Sequence, residues 1–277
     1  MKEEMTSFDI TALTPELNQT IKAARIDNIY QINPTTLLLK LRKPSAQLII
    51  EAGKRLHLTS YTLEKPEKPP AFCMALRKYL TNAEVKEVQQ HEFERIIVIK
   101  LSAREGDFQL ISELFGKGNI ILVSPENKIL HALAYRRMRD RNILRGEVFH
   151  YPPSSGRNPP RLSRQDFSEI KSLRKLEIVR ALTKFLSIGG LYAEEILLRA
   201  HVEKSFPCEA LTESEIDRIF EQLQQLLSII ASGNLKPCIV INEQGELVDV
   251  TPIPLEKYAQ FKHKTYGSFN EALDEYY

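Results

Sequence analysis

The chain has 277 residues, enough for two domains or one large one, and its 43% hydrophobic content can fill a core. It has no run of about 18 apolar residues, which excludes a membrane-spanning helix. The charged start at residues 1–4 is followed by no apolar stretch, which argues against a secretory leader. Cys73, Cys208 and Cys238 are odd in number and widely spaced. They read as packing residues of a cytoplasmic protein, not as a disulfide framework or a metal set. The net charge of +2 hides an asymmetry: residues 1–180 carry 30 Lys+Arg against 21 Asp+Glu, and residues 181–277 carry 8 against 15. The basic first part points to a phosphate-rich partner, although a mixed solvated surface would give a similar count.

In chain order, residues 9–26 read as a helix. Asp9 can cap it, and Ile10, Leu13, Leu17, Ile21 and Ala24 recur on one face. Apolar runs at 28–32, 36–41 and 47–52 read as strands, with Asn33-Pro34 and Lys43-Pro44 as turns. The proline-rich stretch 65–70 leads into a short helix at 71–80. Strands resume at 85–89, 95–101, 108–115, 119–123 and 129–134, separated by Gly116-Lys117-Gly118 and Pro125-Glu126-Asn127. This is an α+β pattern whose first domain is a mainly antiparallel meander of sandwich or barrel type. The prolines and glycine of 152–160 break both kinds of element, so the domains are expected at 1–155 and 156–277. The second domain is mostly helical, with helices at 163–173, 175–186 and 191–200. Thr212 and Glu215 form a capping-box pattern ahead of a long amphipathic helix that Gly233 stops. A hairpin of 237–241 with 247–250 and a tail helix at 270–277 complete the domain.

Two local patterns suggest nucleic acid. Arg136, Arg137, Arg139, Arg141 and Arg145 crowd into residues 134–145 with one acid, beside Tyr135. Guanidinium groups stay charged and match phosphate oxygens in a fork, and a tyrosine ring can stack on a base. The same run would serve as a solvated loop paired to the acidic second half. The second pattern, Ser187-Ile188-Gly189-Gly190, is similar to the turn of a helix-hairpin-helix, with Ile188 and Gly189 in the matching positions, Ser187 in place of the first glycine and Gly190 as an extra. Glu194 and Glu195 follow on the next helix and would repel phosphate; a plain helix–helix turn explains the pattern equally well. No metal-ligand spacing, phosphate-binding glycine loop or Ser-His-Asp arrangement stands out, so no cofactor is expected and the chain reads as a non-enzyme.

Longer strings carry a family resemblance. They include Met5-Thr6-Ser7-Phe8-Asp9-Ile10, Arg55-Leu56-His57-Leu58-Thr59, Phe93-Glu94-Arg95-Ile96-Ile97, Glu113-Leu114-Phe115-Gly116-Lys117-Gly118-Asn119 and Leu191-Tyr192-Ala193-Glu194-Glu195. In order and in coverage the chain resembles the opening part of NFACT proteins, the NEMF/Caliban/RqcH group that also includes proteins called fibronectin-binding protein A. The resemblance implies an NFACT-N domain, similar to the N-domain of formamidopyrimidine-DNA glycosylases, followed by a helix-hairpin-helix domain. It implies a factor of ribosome-associated quality control that binds tRNA and the stalled large ribosomal subunit with its rRNA, and that supports C-terminal tailing of nascent chains. The resemblance places tRNA binding on Asp9, which matches the family's acid in the opening helix, and on Glu94-Arg95, where its Asp-Arg pair, tied to tRNA recruitment, has a longer acid. Family members continue into a coiled coil and an NFACT-R domain, so a longer protein is expected. A DNA glycosylase is the rival enzyme reading, but position 2 is Lys where that family needs a proline amine, and the first proline is Pro15. A fibronectin-binding matrix protein is the other rival, and the charged start argues against it.

Overall fold

The computed structural model describes residues 1–154 and 156–277, so the expected boundary at 155 lies outside the described residues. The chain divides into two units. One contains Lys2–Met5, Leu13–Pro153 and Leu273–Tyr277; the other contains Met1, Thr6–Ala12 and Ser154–Ala272. Each unit therefore draws on both ends of the chain, a feature that no local pattern announces.

Helix α1 spans Ser7–Ile21, shorter than the periodicity predicts. Ala23 takes a left-handed φ of 69°, which ends the helix and turns the chain into strand β1, Arg25–Asn33. Strands β2 (Thr36–Arg42), β3 (Ala46–Glu51) and β4 (Arg55–Leu58) follow as a meander. Helix α2, Ala71–Leu80, lies where the sequence puts it and buries Cys73, Leu76 and Leu80. A second meander consists of β5 (Glu84–Gln90), β6 (Ile96–Ala103), β7 (Gly106–Glu113), β8 (Asn119–Val123) and β9 (Ile129–Ala132). The arginine-rich run then forms a small hairpin of β10 (Arg136–Arg137) and β11 (Asn142–Ile143).

The two meanders join into one antiparallel sheet ordered β4-β3-β2-β1-β5-β6-β7-β8-β9. They meet at one register pair, Arg25 opposite Glu84. At the far end the turn after β3 is pressed against the turn after β7: Gly53 N donates to Glu113 O at 3.0 Å. A Cβ at Gly118 would sit 1.9 Å from the Gly53 nitrogen, so only glycine fits there. Ile96, Val98, Ile111, Ile121, Val123 and Ile129 form a core with Ile143 and Phe149 from the strap that follows. Each such side chain contributes roughly 1.5–3 kcal/mol by leaving water. The last residues return to this unit, where Asp274 accepts from both the amide and the hydroxyl of Ser60 at 2.8 Å.

The other unit holds α3 (Arg164–Ser168), α4 (Ile178–Leu186), α5 (Gly190–Arg199) and α6 (Glu213–Ala231). The capping box of α6 forms as its spacing predicts: Thr212 N donates to Glu215 at 2.7 Å and Glu215 N donates back to the Thr212 hydroxyl at 3.3 Å. Strands β12 (Cys238–Ile241) and β13 (Leu247–Thr251) make the expected hairpin. A third strand, β14 (Lys262–Thr265), pairs on the other side of β12. Its sequence, Lys-His-Lys-Thr, lacks an apolar alternation, which hid it. Helix α7, Phe269–Tyr276, ends the chain.

Candidate nucleic-acid interface

The Asp9 carboxylate belongs to the helix start, but not as the expected cap. Thr6 is the cap: its hydroxyl accepts from Asp9 N at 3.2 Å, and Asp9 accepts from Thr6 N at 2.7 Å. Asp9 is thus the third residue of a capping box and is fully buried. Beside it Phe8 stacks on Tyr192, with ring centroids 3.9 Å apart and planes 17° apart. Tyr192 is also fully buried. Burial, followed by the charges of Asp9, Asp249 and Glu195, raises its hydroxyl pKa well above the ordinary tyrosine value. Asp9 therefore has no exposed surface in this structure.

Glu94 and Arg95 lie in the loop between β5 and β6, not at the start of the strand, which begins at Ile96. The loop is tightly built. Glu94 N donates to His91 O at 3.0 Å, His91 N to Ile96 O at 2.9 Å, and Gln90 Nε2 to Glu94 O at 3.0 Å. The His91 ring stacks on Tyr151 at 3.5 Å and 4°. Burial lowers the His91 pKa. Arg95 forms an ion pair with Glu4 rather than with its neighbour Glu94. Its carbonyl accepts from Leu114 N at 2.8 Å, which fixes the loop to the end of β7.

The arginine run splits into one internal residue and four external ones. Arg141 is no surface group. It pairs with Glu113 at 2.6 Å, each side chain 4% exposed, and donates to His150 O at 3.1 Å. That corrects its expected place among phosphate-binding residues: its charge is already neutralised inside the protein. With Ile143 in the core, Arg141 pins the hairpin. Arg136, Arg137, Arg139 and Arg145 make no side-chain hydrogen bond or ion pair among the described residues. Arg136 is half-buried and the other three are exposed. Tyr135 stands beside them, 49% exposed.

Glu113 ties these features together. Its side chain holds the hairpin through Arg141, its carbonyl accepts from Gly53, and its strand partner is Ile96, adjacent to Arg95. The Arg95 loop, the arginine hairpin and exposed Lys117 thus gather at one end of the sheet. An acid closing the apolar run Phe108-Gln109-Leu110-Ile111-Ser112-Glu113 was the available signal for this residue, and sequence reasoning missed it.

In the other unit, Ser187 takes the left-handed conformation at φ 53° where α4 ends, and Ile188 is buried. Gly189 has an ordinary φ of −67°, and a Cβ at Gly189 or Gly190 would meet open space. Both glycines are exposed. The acids on α5 turn inward. Glu195 is fully buried and accepts from Arg199 Nε at 2.6 Å, Glu256 N at 2.9 Å and Lys257 N at 3.0 Å. Glu194 pairs with Lys257 at 2.6 Å and Lys204 at 3.7 Å. The expected repulsion of phosphate is therefore largely quenched.

Among the described residues no group of three or more His, Cys, Asp or Glu could hold a metal ion. The three cysteines are free and buried, and burial pushes the Cys208 thiol up to about 11. No described helix is long and apolar enough to cross a membrane.

A family model described as NFACT N-terminal and middle domains matches residues 6–277. The chain belongs to the NFACT family. Its relatives within the family include the archaeal Rqc2 homolog aRqcH of Methanocaldococcus jannaschii, 38% identical over all of this chain and 42% of that protein. The human ribosome quality control complex subunit NEMF is 27% identical over all of this chain and 28% of its own length. The NFACT chain described here thus spans less than half of either relative. Among solved structures, the N-terminal part of the fibronectin/fibrinogen-binding protein of Streptococcus suis superimposes with a TM-score of 0.74 at 25% identity, covering 99% of both chains.

Proposed function

We propose that this chain is the RNA-binding part of a ribosome-associated quality-control factor, with tRNA and the rRNA of the large ribosomal subunit as partners and no catalysis of its own. The observation that carries the reading is the arginine hairpin. Arg141 and Ile143 hold its shape from inside, while Arg136, Arg137, Arg139 and Arg145 keep their guanidinium groups uncommitted. Charges held in place without internal partners lose little on meeting phosphate, and Tyr135 offers a stacking face beside them.

Arg95 enters by exchange. Glu4 occupies its guanidinium as a phosphate oxygen would, and a part-exposed pair of this kind is worth only about 0–1 kcal/mol. A phosphate can therefore displace Glu4 at small cost. Glu94 supports the loop through its backbone, and Asp9 orders the opening helix from a buried position. Gly189 and Gly190, exposed in the turn that buried Ile188 anchors, can approach RNA closely as a second, weaker contact.

Names among the relatives support the ribosomal setting. The test is co-sedimentation with purified large subunits carrying a tRNA, alongside direct binding of tRNA alone. We expect the chain to pellet with the subunit and to lose this on Arg136→Ala/Arg137→Ala/Arg139→Ala substitution. Equal pelleting of the folded variant would refute the reading.

A further inference from the structure

The sheet has a second basic end. Opposite the Arg95 end of β6, Arg25, Lys86 and Arg104 line an open cavity of about 560 Å³ together with Asn82, Glu84 and Ser102. We infer that this cavity is a phosphate-binding site, distinct from the arginine hairpin and at the other end of the same sheet.

The partners each lining group already holds decide the charge left over. Arg104 is exposed and makes no ion pair or side-chain hydrogen bond among the described residues. The Ser102 hydroxyl likewise has no partner among them, which leaves a donor facing the cavity. Arg25 and Lys86 share one acid: Arg25 holds Glu84 at 2.9 Å and Lys86 holds it at 2.7 Å. The Lys86 contact, with Arg25 adding to it, keeps the Glu84 carboxyl below the usual carboxylate range. Glu84 is therefore ionised at neutral pH and cancels one of the three lining cations, so an excess of two remains. Arg42 approaches from the side and spends its guanidinium on a neutral partner, donating to Asn82 Oδ1 at 2.7 Å. Glu105 and Asp107 lie in the turn after Arg104 but do not line the cavity.

This arrangement prefers phosphate for two reasons. The Arg104 fork, the Lys86 ammonium and the N–H groups that Arg25 keeps beside its bonds to Asn82 O at 3.1 Å and Glu84 at 2.9 Å offer donors from several directions, which suits the three or four oxygens of a phosphate. The cavity is also open and polar, so an anion can bind without full loss of water. The register explains why the cations converge: Arg25 stands opposite both Arg42 and Glu84, and Glu84 stands opposite Ser102. The junction of the two meanders thus builds the site, and no single sequence segment reveals it.

Either a phosphodiester of bound RNA or a small free phosphate could supply the ligand, and the experiment separates the two. Amide NMR spectra of the chain are recorded with inorganic pyrophosphate, and binding of an RNA oligonucleotide is measured at 0.1 M salt. Both are done for the wild type, Arg25→Gln/Lys86→Gln/Arg104→Ala, the single variant Arg104→Ala, and Glu84→Gln. The proposal predicts pyrophosphate shifts at residues 82–86 and 102–104, lost in the triple variant and weakened in Arg104→Ala, whose side chain supports no folded contact. Glu84→Gln, which removes the one acid lining the cavity, should bind pyrophosphate more tightly than the wild type. If the triple variant also loses about tenfold or more in RNA affinity, the source is RNA backbone; if RNA affinity is unchanged while the pyrophosphate shifts vanish, the source is a small phosphate. Absence of pyrophosphate shifts in the wild type, with RNA affinity equal in wild type and triple variant, would overturn the site. Repeating the pyrophosphate arm in the Arg136→Ala/Arg137→Ala/Arg139→Ala background keeps this result independent of the hairpin's role.

Discussion

The arginine hairpin and the start of α1 both looked like RNA contacts in the sequence, and they turn out to be physically opposite. At the helix start, Asp9 is buried and engaged by Thr6, and it lies beside the buried Tyr192. In and beside the hairpin, one arginine is internal and four make no ion pair or side-chain hydrogen bond among the described residues. A charged residue in such a segment acts either by touching a ligand or by holding what touches it. Burial and partner assignment separate the two roles.

Arg141 separates the two regions most sharply. Removing one partner of a buried ion pair leaves an uncompensated charge, at a cost of about 3–5 kcal/mol. Arg141→Met should therefore lower the melting temperature sharply, and Glu113→Gln should do so less. Replacing both with apolar residues should recover much of the loss. Denaturant titration of the three variants checks this, and a mild Arg141→Met phenotype would place Arg141 with the external arginines after all.

Next in size is a pH effect in the sheet unit. Burial, with a smaller contribution from the Arg55 charge, lowers the His57 pKa to about 4, against an opposing hydrogen bond to Leu58 O. The folded state thus binds this proton less readily than the unfolded state, whose pKa is about 6.5. Stability should be constant above about pH 6.5 and fall as the pH drops toward 4, by up to roughly 3 kcal/mol for this residue. A His57→Gln variant should show a flatter profile between pH 6.5 and 4. Arginine does not titrate in this range, so RNA affinity of the folded chain should stay level from pH 6 to 8.

A smaller effect is expected at Asp9. Asp9→Ala removes half of a capping box, which costs about 0.5–2 kcal/mol, and should leave the salt dependence of RNA binding intact once folding is accounted for. The smallest effect is at Arg95. Arg95→Lys keeps the charge and loses the fork, so it should weaken tRNA binding with little change in melting temperature, and Glu94→Asp should be tolerated. A large change in melting temperature for Arg95→Lys would move Arg95 to the positioning class.

Much of this was legible in the sequence because it is local. Helix α2, strand β8 and the α6 capping box are set by residues within a few positions of one another, and they formed where the pattern put them. What failed was non-local. The Glu113–Arg141 pair joins residues from separate elements, β14 is recruited by β12 without an apolar alternation of its own, and the cavity at Arg25 and Arg104 exists only because two meanders meet. Asp9 was assigned to the right helix but the wrong capping role, since Thr6, three residues before the expected start, took the cap.

The salt dependence of tRNA binding reports directly on whether the external arginines meet phosphate. Five phosphate contacts, from Arg95, Arg136, Arg137, Arg139 and Arg145, correspond to a slope of log affinity against log salt of about −3.5 to −4.5. Filter binding between 50 and 200 mM salt should give that slope for the wild type. For Arg136→Ala/Arg137→Ala/Arg139→Ala, at an unchanged melting temperature, the slope should be shallower by about 2 to 3. A flat wild-type response, or the same steep slope in the folded variant, would contradict the account.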